Sequence, residues 1–124
     1  MSVDTLALEA ALDVVLSRST GISMLLVSTG DGRSVAHRCF NSLDPRRLSA
    51  MSSSFLTLGE TLSRELGLST ADYVTMSTSQ GSMVLVRVAA GRPYTLAALG
   101  HADTSLAILL YAARDAAGRI GLLL

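Results

Sequence analysis

The pattern of apolar and polar positions divides the chain into helical and extended runs. Between Asp4 and Arg18, Leu6, Ala10, Val14 and Leu16 recur at helical spacing, with Leu12 and Val15 beside them. Asp4 or Ser2 can cap that helix, and Thr20-Gly21 ends it. Ile22 to Ser28 is apolar on both alternating faces, so a strand built from it must be covered on both sides. Thr29-Gly-Asp-Gly32 tolerates the positive φ of a tight hairpin. The mixed run Arg33 to Phe40 then reads as a strand nearer a sheet edge.

A second helix is expected over Asp44 to Gly67. Asp44 suits the N-cap and Pro45 the first helical position. This helix carries two stripes. Leu48, Met51, Phe55, Leu58, Leu62 and Leu66 are spaced by threes and fours and read as the core face. Ser49, Ser52, Leu56, Gly59 and Ser63 form the other and, apart from Leu56, are small. A mid-helix glycine costs about 1 kcal/mol relative to alanine, which is offset where another backbone approaches closely. The small stripe is therefore expected to meet a second helix, across a dimer axis.

Three short strands follow. Tyr73 to Ser79 places Val74 and Met76 on one side and Tyr73, Thr75 and Ser77 on the other. Gln80-Gly-Ser82 turns the chain into Met83 to Ala90, and Gly91-Arg-Pro93 turns it again into Tyr94 to Leu99, a meander with Pro93 kept in a turn. Asp103 or Thr104 is expected to cap a last helix with Leu106, Leu109, Leu110, Ala113, Ala117 and Ile120 on its apolar face, and Asp115 and Arg119 spaced to pair. The order α-β-β-α-β-β-β-α fits one five-stranded antiparallel sheet with helices on both faces, an α+β fold. Residues 1–124 read as one domain.

Composition narrows the function. The chain is 49% hydrophobic and only 16% charged, which points to a buried interface. Its net charge is zero and no basic stripe is present, which disfavours nucleic acid. All ten cations are arginine. Without lysine there is neither a Schiff-base residue nor a phosphate loop ending in Gly-Lys-Ser/Thr. A single cysteine excludes an internal disulfide. No signal peptide and no membrane-inserting helix is apparent, so a cytoplasmic protein is expected.

The same order of elements resembles the roadblock family, related to a dynein light chain. The resemblance covers nearly the whole chain. It rests on Gly21-Ile-Ser-Met-Leu-Leu-Val-Ser-Thr-Gly-Asp-Gly32, on Leu48-Ser-Ala-Met-Ser at the start of the middle helix, and on Leu96-Ala-Ala-Leu-Gly followed by Asp103-Thr-Ser-Leu-Ala. It implies sheet order 2-1-5-4-3, with one helix on one face and two on the other, a profilin-like three-layer sandwich. It also implies a dimer in which edge strands join and middle helices lie side by side. Members mostly bind and regulate small Ras-like GTPases or serve as dimeric adaptors. The family shares no catalytic motif, so no enzymatic activity and no cofactor are expected.

On this reading the homodimer interface comprises Ser49, Ser52, Leu56, Gly59 and Ser63 of the middle helix with Tyr73, Thr75 and Ser77 of the edge strand. Arg46 and Arg47 are the expected contacts to a GTPase, because cations at a helix N-terminus oppose its dipole and suggest another use. Arg33, Arg38 and Arg92 are further candidates for an arginine acting in trans. A metal or nucleophile site at His37, Cys39, His101 and Asp103 lacks ligand spacing, and mid-helix Ser52-Ser-Ser54 lacks a nucleophile elbow. The alternative function is a small-molecule-sensing α/β signalling module, which requires polar groups on the buried sheet faces. Met24, Leu26, Val84 and Val86 read instead as plain core.

Overall fold

The computed structural model describes residues 3–39 and 42–124. The elements are α1 (Thr5–Arg18), β1 (Ile22–Thr29), β2 (Ser34–Cys39), α2 (Pro45–Glu65), β3 (Tyr73–Thr78), β4 (Gly81–Val88), β5 (Tyr94–His101) and α3 (Leu106–Gly121). They form the expected five-stranded antiparallel sheet, in the order β2-β1-β5-β4-β3. Ser2 as an alternative cap, Phe40 at the end of the second strand and Asn41 beyond it lie outside the described residues.

Apolar runs and turn chemistry account for the sheet. β1 is buried from Ile22 to Ser28, as its two-sided apolar pattern requires. Its hairpin to β2 closes through Gly32 N–H to the Thr29 carbonyl at 3.0 Å, with Gly32 at φ +90°. A register shift between Val27 and Ser28 sets Val35 as an extra residue on β2, and pairing resumes with Ser28 opposite Ser34. β5 lies at the centre, pairing Leu25 with Ala98 on one side and Val84 with Ala98 on the other.

Caps fix the helix starts. Asp4 Oδ1 accepts from the Ala7 N–H at 3.1 Å, as expected for α1. The buried stripe of α1 is Leu8, Leu12 and Val15, whereas Leu6 and Val14 are exposed. The i, i+4, i+7 set that meets the sheet is thus rotated from the expected one. α3 is capped by Ser105, whose hydroxyl accepts from Ile108 N–H at 3.2 Å, rather than by Asp103 or Thr104. Thr104 is committed elsewhere: its hydroxyl donates to the Gly21 carbonyl at 3.1 Å and ties the helix entry to the start of β1. Leu106, expected on the apolar face of α3, is exposed; Leu109, Ala112, Ala113, Ala116, Ala117 and Ile120 are buried.

The two sheet faces carry unequal cores. On one, α1 and α3 pack over Leu25, Val27, Val84, Val86, Leu96 and Ala98. On the other, α2 alone covers Met24, Leu26, Leu85 and Ala97. Arg38 on β2 fastens the first layer. Its Nε donates to Asp13 Oδ1 at 2.8 Å and its Nη1 pairs with Glu9, both on α1, and these partners raise its pKa, Asp13 most. That structural role accounts for Arg38, one of the candidate arginines. The main core predicts its own sensitivity: Leu12→Ala, at a fully buried site, should destabilise the fold by about 2–5 kcal/mol, read as a lower urea midpoint with unchanged slope.

Candidate interaction face of the middle helix

Asp44 sets the start of α2. Its carboxylate accepts from the backbone N–H groups of Arg46 at 3.0 Å and Arg47 at 3.5 Å, and Pro45 occupies the first turn. From there α2 crosses the sheet from the β2 side to the β3 side, and a row of contacts records its path. The Ser28 hydroxyl on β1 donates to Ser49 Oγ at 2.9 Å. Ser53 Oγ donates to the Gly30 carbonyl at 2.8 Å. A Cβ on Gly32 would stand 3.2 Å from the Ala50 Cα, and one on Gly59 would stand 2.5 Å from Val74 Cγ1 on β3. Arg87 on β4 pairs with Glu60 and donates to the Ala71 carbonyl at 2.7 Å. Ser63 Oγ donates to the Ser69 carbonyl.

This path reverses the two stripes. Ser49, Ser52 and Leu56 are 0%, 5% and 8% exposed, whereas Met51, Leu58, Leu62 and Leu66 are 58%, 66%, 57% and 64% exposed. The small stripe packs on this chain's own sheet, not on a second helix. The close backbone that offsets Gly59 is β3. Ser49, Ser52, Leu56 and Gly59 are therefore corrected from interface residues to the floor of α2, and half-buried Ser63 ties the end of the helix to the loop after it. The expected core face is corrected likewise: Met51, Leu58, Leu62 and Leu66 look outward, with Leu48 and Phe55 half-buried at the margin. Met83 and Leu99, both half-buried, and exposed Met76 continue that apolar area onto the sheet beside α2.

The edge-strand candidates occupy the opposite side. Tyr73 pairs with Val86 and Thr75 with Val84, whose side chains belong to the α1–α3 core. The Arg114 guanidinium of α3 lies 5.8 Å from the centroid of the Tyr73 ring. Thr75 Oγ1 donates to the Met83 carbonyl at 2.9 Å, and Ser77 Oγ accepts from Ser82 Oγ at 3.2 Å. What β3 shares with the α2 face is its backbone edge and the side chains of Val74 and Met76. In the sheet order β3 is terminal, so one side of its ladder has no strand beside it.

The arginine candidates separate by position. Arg46 and Arg47 are exposed at the start of α2 and take part in none of the salt bridges found among the described residues. Arg33 lies 3.7 Å from Asp31 in the β1–β2 turn and shares an open cleft with Arg92. The Thr29 hydroxyl holds the Asp31 carboxyl below the usual carboxylate range, with Arg33 adding to the effect. His37 and Cys39 lie on β2, while His101 and Asp103 lie at and beyond the end of β5, with β1 between the two strands. Among the described residues, no three His, Cys, Asp or Glu side chains are grouped to hold a metal. No described helix is long and apolar enough to cross a membrane.

Both stripes of α2 have helical spacing, so periodicity alone does not decide which one is buried. A serine- and glycine-rich stripe needs a backbone at close range, and the sheet is the nearest one.

Similarity to known proteins agrees with this architecture. The profile of the Roadblock/LC7 domain matches residues 9–97. No curated protein sequence matches the chain. Among solved structures, Myxococcus xanthus MglB is 12% identical, with a TM-score of 0.84 over 98% of this chain and 90% of that one. A Roadblock/LC7 domain from Streptomyces avermitilis is 14% identical, with a TM-score of 0.79 over 90% of this chain and 92% of that one. LokiProfilin1, solved in complex with rabbit actin, is 13% identical, with a TM-score of 0.72 over 99% of this chain and 100% of that one. At these identities the likeness is one of fold.

The packing under α2 gives a direct check. Gly59→Leu should destabilise the isolated fold by about 1–3 kcal/mol, because the added side chain must displace Val74. A lowered thermal midpoint, measured at protein concentrations spanning two decades, would place the clash within the chain. A midpoint unchanged from wild type would show that Gly59 does not face β3.

Proposed function

Because the chain belongs to the Roadblock/LC7 domain family, we propose that it is a non-enzymatic, dimeric regulator or adaptor of a small Ras-like GTPase, acting in the cytoplasm. The observation that carries this reading is the outward stripe of α2 beside a free sheet edge. Met51, Leu58, Leu62 and Leu66 expose a contiguous apolar face, and β3 leaves backbone groups available next to it. Exposed apolar surface of this kind marks a protein contact. Joining β3 to a second β3 would extend the sheet and bring two α2 helices alongside each other. The dimer contact thereby moves from the small stripe to the large one. The edge strand, including Tyr73, Thr75 and Ser77, contributes through its main chain.

The paired helices would then present a surface to the GTPase, with Arg46 at its margin as the cationic contact. Regulation by such a surface requires a difference in affinity between the two switch conformations, since a partner that binds both equally shifts nothing. The small-molecule-sensing alternative gains no support from the interior. The buried polar residues Ser23, Ser28, Ser49, Ser52 and Thr95 are small, and no buried side-chain nitrogen or oxygen among the described residues lacks a partner.

Two measurements test the reading. Light scattering at micromolar concentration should give the mass of a dimer, and Leu58→Arg combined with Leu62→Arg should give a folded monomer, since both sites are exposed within one chain. A wild-type monomer would remove the interface argument. For the partner, immobilised protein should retain a small GTPase from native lysate more strongly in one nucleotide state, GDP or GTP analogue, than in the other. Absence of any nucleotide-binding protein in either state would overturn the GTPase assignment.

A further inference from the structure

At the two ends of α2, Arg46, Arg47 and Glu65 oppose the helix dipole, beside Asp44 and Arg64, which suit it. Arg46 and Arg47 stand in the first turn, which holds no acidic residue, and Glu65 is the last helical residue. A helix favours the reverse arrangement. Arg47 and Glu65 lie together along one flank of the exposed stripe: at about 100° per residue, both fall roughly 20° around the helix from Leu58 and roughly 60° from Leu62. Neither takes part in any salt bridge found among the described residues. Arg46 and Arg64 sit about 100° further round, and Glu60 is occupied by Arg87.

The stripe is nearly symmetric about its own midpoint. Met51 and Leu62 lie equally far from the point between residues 56 and 57, and so do Phe55 and Leu58. Leu48 and Leu66 miss this symmetry by half a residue, and Arg47 and Glu65 miss it by half a residue in the other sense. A half-residue offset is under about 1 Å along the axis, well within the reach of these side chains. A two-fold contact presents the same patch from both copies, so a stripe that reads alike from either end matches an antiparallel copy of itself.

We propose that a second copy of this chain docks its α2 antiparallel on this stripe, in a register centred between residues 56 and 57. Arg47 of each copy then meets Glu65 of the other. This rests on the reading of α2 as the self-association face and adds its direction, register and charge code. The two ion pairs close the ends of an apolar seam about 27 Å long. They give Arg47 and Glu65 partners of opposite charge, and they disfavour a partner helix that lacks the matching charges.

The test is a charge exchange, read by sedimentation equilibrium of the full chain at about 0.05 M salt. Arg47→Glu and Glu65→Arg should each raise the dimer Kd about tenfold, because each replaces two attractive pairs by two repulsive ones. Arg47→Glu with Glu65→Arg in one chain should return to within about twofold of wild type. The differences should collapse near 1 M salt, where the screening length is about 3 Å. Each reversal suits the helix dipole, so thermal melts should show no loss of fold. A Kd unchanged in either single variant, or a double variant no better than the singles, would overturn the register while leaving a wild-type dimer standing. A wild-type chain that stays monomeric would overturn the self-association reading and the register together.

Discussion

The close approach of α2 to the sheet is the constraint on which the rest of the molecule depends. The Ser28–Ser49 hydrogen bond at 2.9 Å and the 2.5 Å from a Cβ on Gly59 to Val74 Cγ1 place this helix too near the strands at those two points for large side chains to fit between. Small residues therefore lie there, and Leu56 fills the wider gap between them. Helical periodicity then turns Met51, Leu58, Leu62 and Leu66 outward. The apolar outer surface is thus a geometric result of tight packing underneath.

The same constraint explains why the two cores differ. α1 and α3 share one face and shield each other, so their leucines and alanines close a continuous interior with the sheet. Among the described residues α2 has no companion helix on its side, and Met83, Leu99 and Met76 lie beside it incompletely covered. A three-layer fold with two helices on one side and one on the other therefore leaves apolar area on the thinner side. Function carried by that area needs no catalytic group. It needs a shape, a spacing and a free strand edge.

Much of this was legible in the sequence. Turn residues at Thr29–Gly32 and Gly91–Pro93 marked the hairpins, and Asp4, Asp44 and Pro45 marked helix starts, because these signals are local. The sheet order was legible through the family resemblance, which the Roadblock/LC7 match bears out. Helix rotation was not legible. For α2, both stripes had helical spacing, and only the distance to the sheet decides which is buried. For α1, Leu6 and Leu8 differ by two positions, and contact with β2 and α3 selected Leu8. The cap of α3 failed for a comparable reason, since a hydrogen bond to Gly21, 83 positions away, removed Thr104 from the choice.

The central place of β5 bears on how the chain is made. β1 is complete early, yet its inner neighbour is the last strand, so Leu25 waits for Ala98 to be synthesised. Until then the Val- and Leu-rich edges of β1 and β4 stand open, and both are closed by the insertion of one segment, Tyr94–His101. Contacts this far apart in sequence form late and slowly. During translation the growing chain is two hairpins, β1–β2 and β3–β4, with no common sheet, and it is most prone to sticking to its neighbours on the ribosome just before its final strand emerges.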